Sequence, residues 1–292
     1  MDSIANSTRF IPAMTLTEGA GVTVHRTIGT PALRNYDPFM LLDQFSSDNP
    51  DDYIAGFPSH PHRGFSTFTY VLDGHVEHQD SMGNKGKLGP GSAQWMKAAS
   101  GVIHSEMPRQ ADGLMRGFQL WVNLPAANKM DTPEYHEFDA TAFPVVETSG
   151  YSAKVLIGSF AGAVSPIVDY LTNVSYLDVR MEAGSDFQHR LPEENNSFLY
   201  VFEGSGQLAM RNVPLNTLVA LGNDDNLHVF RAGSDGARFL LISGKPINEP
   251  IVQYGPFVMN TRQEIEQAMQ DFQSNTFVHE RAWVNHRVKG SR

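Results

Sequence analysis

Phe68-Thr-Tyr-Val-Leu-Asp-Gly74 recurs in the second half of the chain as Phe198-Leu-Tyr-Val-Phe-Glu-Gly204. Each copy runs aromatic and β-branched residues into an acidic residue and a glycine, the pattern of a strand that ends in a turn. Lys97-Ala-Ala-Ser100 then resembles Arg231-Ala-Gly-Ser234, in the same order and at the slightly different offset an insertion produces. Two ordered matches argue for a duplicated β-barrel. Around them, 25 glycines and 17 prolines punctuate short apolar runs such as Phe118-Gln-Leu-Trp-Val-Asn-Leu124 and Phe239-Leu-Leu-Ile242, so the chain reads as mainly β. Asp73-Gly74 lies between Thr67-Phe-Thr-Tyr-Val-Leu72 and His75-Val-Glu-His78, which predicts a two-residue hairpin because glycine accepts positive φ. Gly83-Asn84, Gly86 and Gly89-Pro90-Gly91 mark further turns.

The boundary between the copies is expected in the polar stretch from Asp131 to Gly150, which contains Pro133 and Pro144. This divides the chain into a first barrel at 1–135 and a second at 136–292. One helix is legible near the C-terminus and is assigned to the second part. Thr261-Arg-Gln-Glu264 has capping-box form, and Ile265, Ala268, Met269 and Phe272 follow at helical spacing, giving one face to lay on a sheet.

The 292 residues, 41% of them hydrophobic, are enough for one large or two medium packed domains. A formal charge of -10 repels phosphate backbones, so direct nucleic-acid binding is not expected. The basic cluster Arg281, Arg287, Lys289 and Arg292 reads as a solvated tail. Without cysteine the chain has no disulfides, thiolate ligands or cysteine nucleophiles. Asp2, Ser3, Asn6, Ser7, Thr8, Arg9 and Glu18 interrupt any apolar run at the start, and no stretch reaches membrane-spanning length, so a cytoplasmic protein is expected. Gly-x-Ser-x-Gly, P-loop and Gly-x-Gly-x-x-Gly patterns are all missing, which removes the common hydrolase and nucleotide readings.

Histidine is clustered: five of eleven, at 60, 62, 75, 78 and 104, lie in one short stretch. His60 and His62 in Phe57-Pro-Ser-His-Pro-His-Arg-Gly-Phe65 are spaced i, i+2, as are His104 and Glu106 in Ser100-Gly-Val-Ile-His-Ser-Glu-Met-Pro108. On strands each pair points to one face. Three imidazoles and one carboxylate suit Fe(II), Mn(II), Ni(II), Cu(II) or Zn(II) and disfavour Ca(II) and Mg(II), which prefer oxygen cages. A six-coordinate ion held this way keeps two open positions, as a catalytic site requires. Pro61 donates no ladder hydrogen bond and so belongs at a strand end or edge. At the repeat offset the four ligands fall on Arg190, Pro192, Ser234 and Gly236, and although His189 and His228 lie nearby, the second half has no paired ligands. His75 and His78 straddle the expected hairpin and read as solvated or set behind the ligands. Arg63 either holds an anionic substrate or pairs with a carboxylate, and Phe57, Phe65, Met96 and Met107 are candidate pocket walls.

These motifs resemble the pirin family of bicupin proteins. The resemblance covers Asp37-Pro-Phe-Met-Leu-Leu-Asp43, His60-Pro-His-Arg-Gly-Phe65, Asp80-Ser-Met-Gly83, Gly89-Pro-Gly91, Gln94-Trp-Met96, Gly101-Val-Ile-His-Ser-Glu-Met-Pro108 and Tyr254-Gly-Pro-Phe-Val-Met-Asn-Thr261. It implies tandem cupin barrels with one metal, commonly Fe(II), in the first, on residues matching His60, His62, His104 and Glu106. It also implies one of two roles. The first is a quercetin 2,3-dioxygenase-like enzyme, which opens a flavonol ring with O2 and releases carbon monoxide, and in which Glu106 would serve as both ligand and proton acceptor. The second is a metal-dependent regulator that binds a transcription or metabolic protein partner. The chain departs from the family pattern at Ser66, where a glutamate is usual, and at Ser92-Ala93 before Gln94. Loss of a nearby carboxylate would make the pocket less negative.

Overall fold

The computed structural model describes residues 8–110, 112–222 and 227–279, with the side chains of 227 and 228 outside the described set. Residues 1–7 and the basic cluster at Arg281, Arg287, Lys289 and Arg292 therefore lie outside the described residues, as does the His228 side chain. The rest is mainly β, with α-helix at Arg262–Gln273. No helix among the described residues is long and apolar enough to cross a membrane.

Among the described residues the chain forms two compact units, each assembled from separate stretches. The first contains 15–24, 40–140 and 247–279. Its larger sheet has seven strands in the order Glu134–Phe138, Ala93–Lys97, Phe65–Asp73, Met115–Asn123, Phe39–Ser47, Val22–Ile28, Met14–Glu18. The smaller has four, in the order Phe57–His62, Val102–Pro108, Val76–Asp80, Lys85–Leu88. Val22, Val24, Phe45, Val71, Val76, Leu88 and Met115 form one of this unit's apolar clusters, each burial of such a side chain stabilising by about 1.5–3 kcal/mol.

The second unit contains 8–14, 25–39 and 141–246. A nine-stranded sheet is built around Asn196–Leu208 and Leu227–Gly244, with Arg9–Pro12 paired antiparallel to Thr217–Leu221. Phe187, Phe230, Phe239, Leu199 and Val201 sit in its buried core cluster. The two copies of the repeat occupy equivalent places, on Phe65–Asp73 and on Asn196–Leu208, and each ends in a glycine at positive φ, Gly74 at 84° and Gly204 at 65°.

Two expectations are corrected in detail. Asp73-Gly74 does not close a hairpin: Phe65–Asp73 pairs with Ala93–Lys97 and Met115–Asn123, whereas Val76–Asp80 pairs with Val102–Pro108 and Lys85–Leu88 in the other sheet. The positive φ of Gly74 bends the chain from one sheet into the next, and partners distant in sequence take up both ladders. The chain passes between units at 14/15, 24/25, 39/40, 140/141 and 246/247, so 8–14 and 25–39, expected in the first barrel, group with 141–246. The helix, however, packs with the stretch 40–140 and not with the one that follows, because Ile265 and Ala268 join Phe257, Met259, Phe277 and Val278 in one apolar cluster that Ile103 also touches. Thr261 caps the helix as the sequence indicates, with both capping-box bonds to Glu264 formed. Phe272 is the exception on the helix face, 43% exposed beside Phe277.

Candidate metal centre

Val102–Pro108 is the strand on which the site is built. Its flanking strands are Phe57–His62, which sets His60 opposite His104, and Val76–Asp80, which sets Asp80 opposite His104 and His78 opposite Glu106. The register on the first ladder shifts where the two steps from His104 to Glu106 are matched by three from His60 to Phe57, so the extra residue lies in the first flanking strand.

His60, His62 and His104 come together, each offering a ring nitrogen within 4.8 Å of the others. His62 and His104 are buried and His60 is half-buried. The tautomers follow from the partners. His60 Nδ1 lies 2.7 Å from the Pro58 carbonyl and donates to it, which leaves Nε2 as a lone pair facing His62 Nε2 at 3.0 Å. Two donors at right angles about an ion, each at about 2.1 Å, are about 3.0 Å apart. His104 Nε2 is buried without a hydrogen-bond partner among the described residues. Buried ring nitrogens without partners among the described residues on His62 and His104, beside the close approach of His60 Nε2 to His62 Nε2, form a donor set that fits a divalent ion. Burial, and then the positive charge neighbouring imidazoles would carry, hold the His62 and His104 pKa values well below the usual histidine range, so both rings stay neutral and available as ligands.

Glu106 is buried and held from three directions. Thr69 Oγ1 lies 2.8 Å and Gln94 Nε2 2.5 Å from its Oε1, and Gln119 Nε2 donates to its Oε2 at 3.0 Å. Oε2 therefore keeps an unused lone pair. Glu106 groups with His104 and with His78, a residue the sequence reading placed outside the ligand set. His75 is exposed, while His78 is fully buried against His104 and stacked on Tyr135 at 4.4 Å. His78 Nε2 lies 3.2 Å from Asp80 Oδ2. Burial alone would raise the Asp80 pKa, but hydrogen bonds from His78 and from Asn84 outweigh it and keep the carboxyl below its usual range.

An apolar cleft, partly open to solvent, reaches Glu106 and Thr69 and is walled by Val22, Phe45, Tyr53, Phe57, Val76 and Met115. Phe57 is thus a wall, and Met107 lies beside Gly56, which also lines the cleft. Arg63, Phe65 and Met96 do not line it. Phe65 packs on His62 and Trp121, and Met96 lies in a small core cluster. Arg63 takes the carboxylate alternative: it is buried, 2.6 Å from Asp271 Oδ2 and 2.6 Å from the Ser100 carbonyl, with its guanidinium over the Phe277 ring. Ser66 is buried with its hydroxyl unpartnered among the described residues. Sequence reasoning missed Thr69, Gln94 and Gln119 around Glu106, and the His78–Asp80 pair. That pair carries the same i, i+2 signal as the ligands and was legible on those terms.

Comparison with known proteins places these features in a family. The Pirin family model matches residues 21–122 and the Pirin C-terminal cupin domain model matches 176–278. A Pseudomonas aeruginosa protein provisionally named quercetin 2,3-dioxygenase is 48% identical over 87% of this chain and 92% of its own length. A pirin-like protein of Caulobacter vibrioides is 44% identical over 92% of this chain and 98% of its own. The crystal structure of quercetin 2,3-dioxygenase from Acinetobacter baumannii superimposes with a TM-score of 0.85 at 31% identity, covering 92% of this chain and 96% of that one.

Proposed function

This chain belongs to the pirin family, and from that premise we propose that it is a metal-dependent dioxygenase that opens flavonol-like substrates such as quercetin with O2. The observation that carries the reading is the cluster of three imidazoles beside a buried carboxylate that reaches an apolar cleft. The names of the Pseudomonas and Acinetobacter relatives support the substrate class.

His60, His62 and His104 would hold the ion through ring nitrogens, with Glu106 as the fourth ligand. Fe(II) is our choice from a donor set that also suits Ni(II), Mn(II), Cu(II) and Zn(II). Bound there, the ion supplies a Lewis acid that makes the flavonol 3-hydroxyl far more acidic, and open positions for substrate and O2.

The chain's own residues do the rest. The one spare lone pair of Glu106 Oε2 does one task at a time, ligand to the ion or, once the carboxylate has loosened, acceptor of the 3-hydroxyl proton, while Thr69, Gln94 and Gln119 fix the carboxylate's orientation. Phe45, Phe57, Val76 and Met115 hold planar rings and exclude water. Overall, both atoms of O2 enter the organic product, two carbon–carbon bonds of the central ring break, and one carbon leaves as carbon monoxide.

The test is anaerobic reconstitution with Fe(II), followed by quercetin consumption and O2 uptake, with His62→Ala as control. We expect one O2 taken up and one carbon monoxide released per quercetin, both lost in the control. Stoichiometric Fe(II) without quercetin turnover would remove the dioxygenase reading.

A further inference from the structure

Asp80, His78 and His104 form a continuous chain that ends at His104 Nε2, which is buried without a partner among the described residues. Asp80 Oδ1 accepts the backbone N–H groups of Met82 at 2.9 Å and Asn84 at 3.0 Å, and Oδ2 accepts Asn84 Nδ2 at 2.8 Å. With every neighbour donating to it, this carboxylate can only accept from His78 Nε2, 3.2 Å away. Both side chains of the pair are wholly buried. The His78 proton is therefore on Nε2 and its Nδ1 is a lone pair, with Tyr135 stacked on the ring at 16° to fix its plane. That lone pair faces His104 Nδ1 at 3.4 Å. His104 must then carry its proton on Nδ1, which frees its otherwise unpartnered Nε2.

We infer that Asp80 and His78 are positioning residues for the metal, a carboxylate–imidazole relay that sets the tautomer and the plane of His104. The inference rests on the metal-centre reading above. A ligating histidine ordinarily donates its second N–H to a carboxylate, carbonyl or water. Here an imidazole takes that place, and it accepts through Nδ1 when Asp80 holds its proton at the far nitrogen.

The decisive variant is Asp80→Asn. The two backbone N–H groups on Oδ1 keep the amide oxygen there, which turns the amide nitrogen toward His78 Nε2. That nitrogen donates, the Asn84 amide turns over to present its oxygen in place of its NH2, the His78 proton moves to Nδ1, and two donors then oppose each other across the gap to His104. The same inversion of a carboxylate-held tautomer by Asp→Asn disables serine protease triads.

The experiment uses the full chain with Zn(II) as the only probe. Affinity is measured by chelator competition, tautomers by long-range 1H–15N NMR of histidine-labelled protein, and folding by apo-protein melting. In the wild type we expect Zn(II) bound, with N–H on His78 Nε2 and on His104 Nδ1. Asp80→Asn should move the His78 proton to Nδ1 and weaken Zn(II) by about tenfold or more, with apo melting unchanged. His78→Phe, which keeps the stacking on Tyr135 but not the acceptor, should lose a similar factor. His78→Asn, whose side-chain oxygen overlays Nδ1, should recover most of it. Wild-type protein with the His78 proton on Nδ1, or Asp80→Asn with undiminished Zn(II) affinity, overturns the relay while leaving the metal centre intact. Wild-type protein that takes up no Zn(II) overturns the metal centre and the relay together.

Discussion

Lys129 Nζ is wholly buried and donates to the Gly64 carbonyl at 2.7 Å, the Val258 carbonyl at 2.9 Å and Asn123 Oδ1 at 2.5 Å. The Gly64 carbonyl lies two residues beyond His62, so the ammonium fastens the end of the strand that carries His60 and His62. Lys129→Met fills the space but leaves three buried acceptors unserved, so urea unfolding should show a loss of about 2 kcal/mol. An unchanged midpoint would mean that water replaces the ammonium. At the same scale, His62 and His104 are held neutral by burial, with folded pKa values well below the unfolded value. The unfolded chain therefore binds more protons as pH falls below about 6.5, and the chelated protein should lose up to about 1.4 kcal/mol per pH unit for each ring. Urea midpoints of chelated wild type and His62→Phe between pH 7.5 and 5.5 check this: the variant should show the shallower fall, and equal slopes would contradict it. The four candidate ligands could be proposed from the sequence because i, i+2 spacing needs only strand geometry. The partners of Glu106 were not, since Thr69, Gln94 and Gln119 sit on three strands whose facing depends on pairing.

At the scale of elements, the C-terminal segment is stitched to both ligand strands. Arg63 directly follows His62, and it reaches Asp271 on the helix and the Phe277 carbonyl beyond it. Gly64, at φ 89°, lets Val258 approach so closely that a Cβ would lie 1.9 Å from its carbonyl oxygen, and Gly101, at φ 142°, does the same for Phe277. These contacts give a physical reason for glycine in each motif, next to ligands it does not help to bind. Hydrogen bonds from Arg63 and Gln267 outweigh burial and hold the Asp271 carboxyl below its usual range. Asp271→Ala leaves the buried guanidinium with only carbonyl acceptors and should cost about 2 kcal/mol, below the 3–5 kcal/mol of a fully buried pair because Asp271 is partly solvated. Amide exchange in Arg262–Gln273 should quicken more than in the strands, and uniform exchange would argue against the stitch. The helix and its capping box were readable from local signals. Its docking partner and the sheet change at Gly74 were not, since both are set by contacts distant in sequence.

For the whole molecule, duplication was legible from two short matches, but the assembly of each unit was not. Arg9–Pro12 pairs with Thr217–Leu221, and the C-terminal helix packs with the stretch 40–140, arrangements that carry no local signature. All the metal-competent groups among the described residues lie on strands between Phe57 and Pro108. Metal loading should therefore slow amide exchange in 57–108 and leave 175–222 unchanged, with a stabilisation near 2.7 kcal/mol at a hundred times the dissociation constant. Protection spread equally over both stretches would contradict a single site.

The central claim is one ion held by His60, His62, His104 and Glu106, and crystals of the Fe(II)-reconstituted protein test it most directly through anomalous scattering at the iron edge. One peak within bonding distance of the three imidazole nitrogens and Glu106 Oε2 is the expected result. A peak between His78, His104 and Glu106 that leaves His60 and His62 unligated would contradict it.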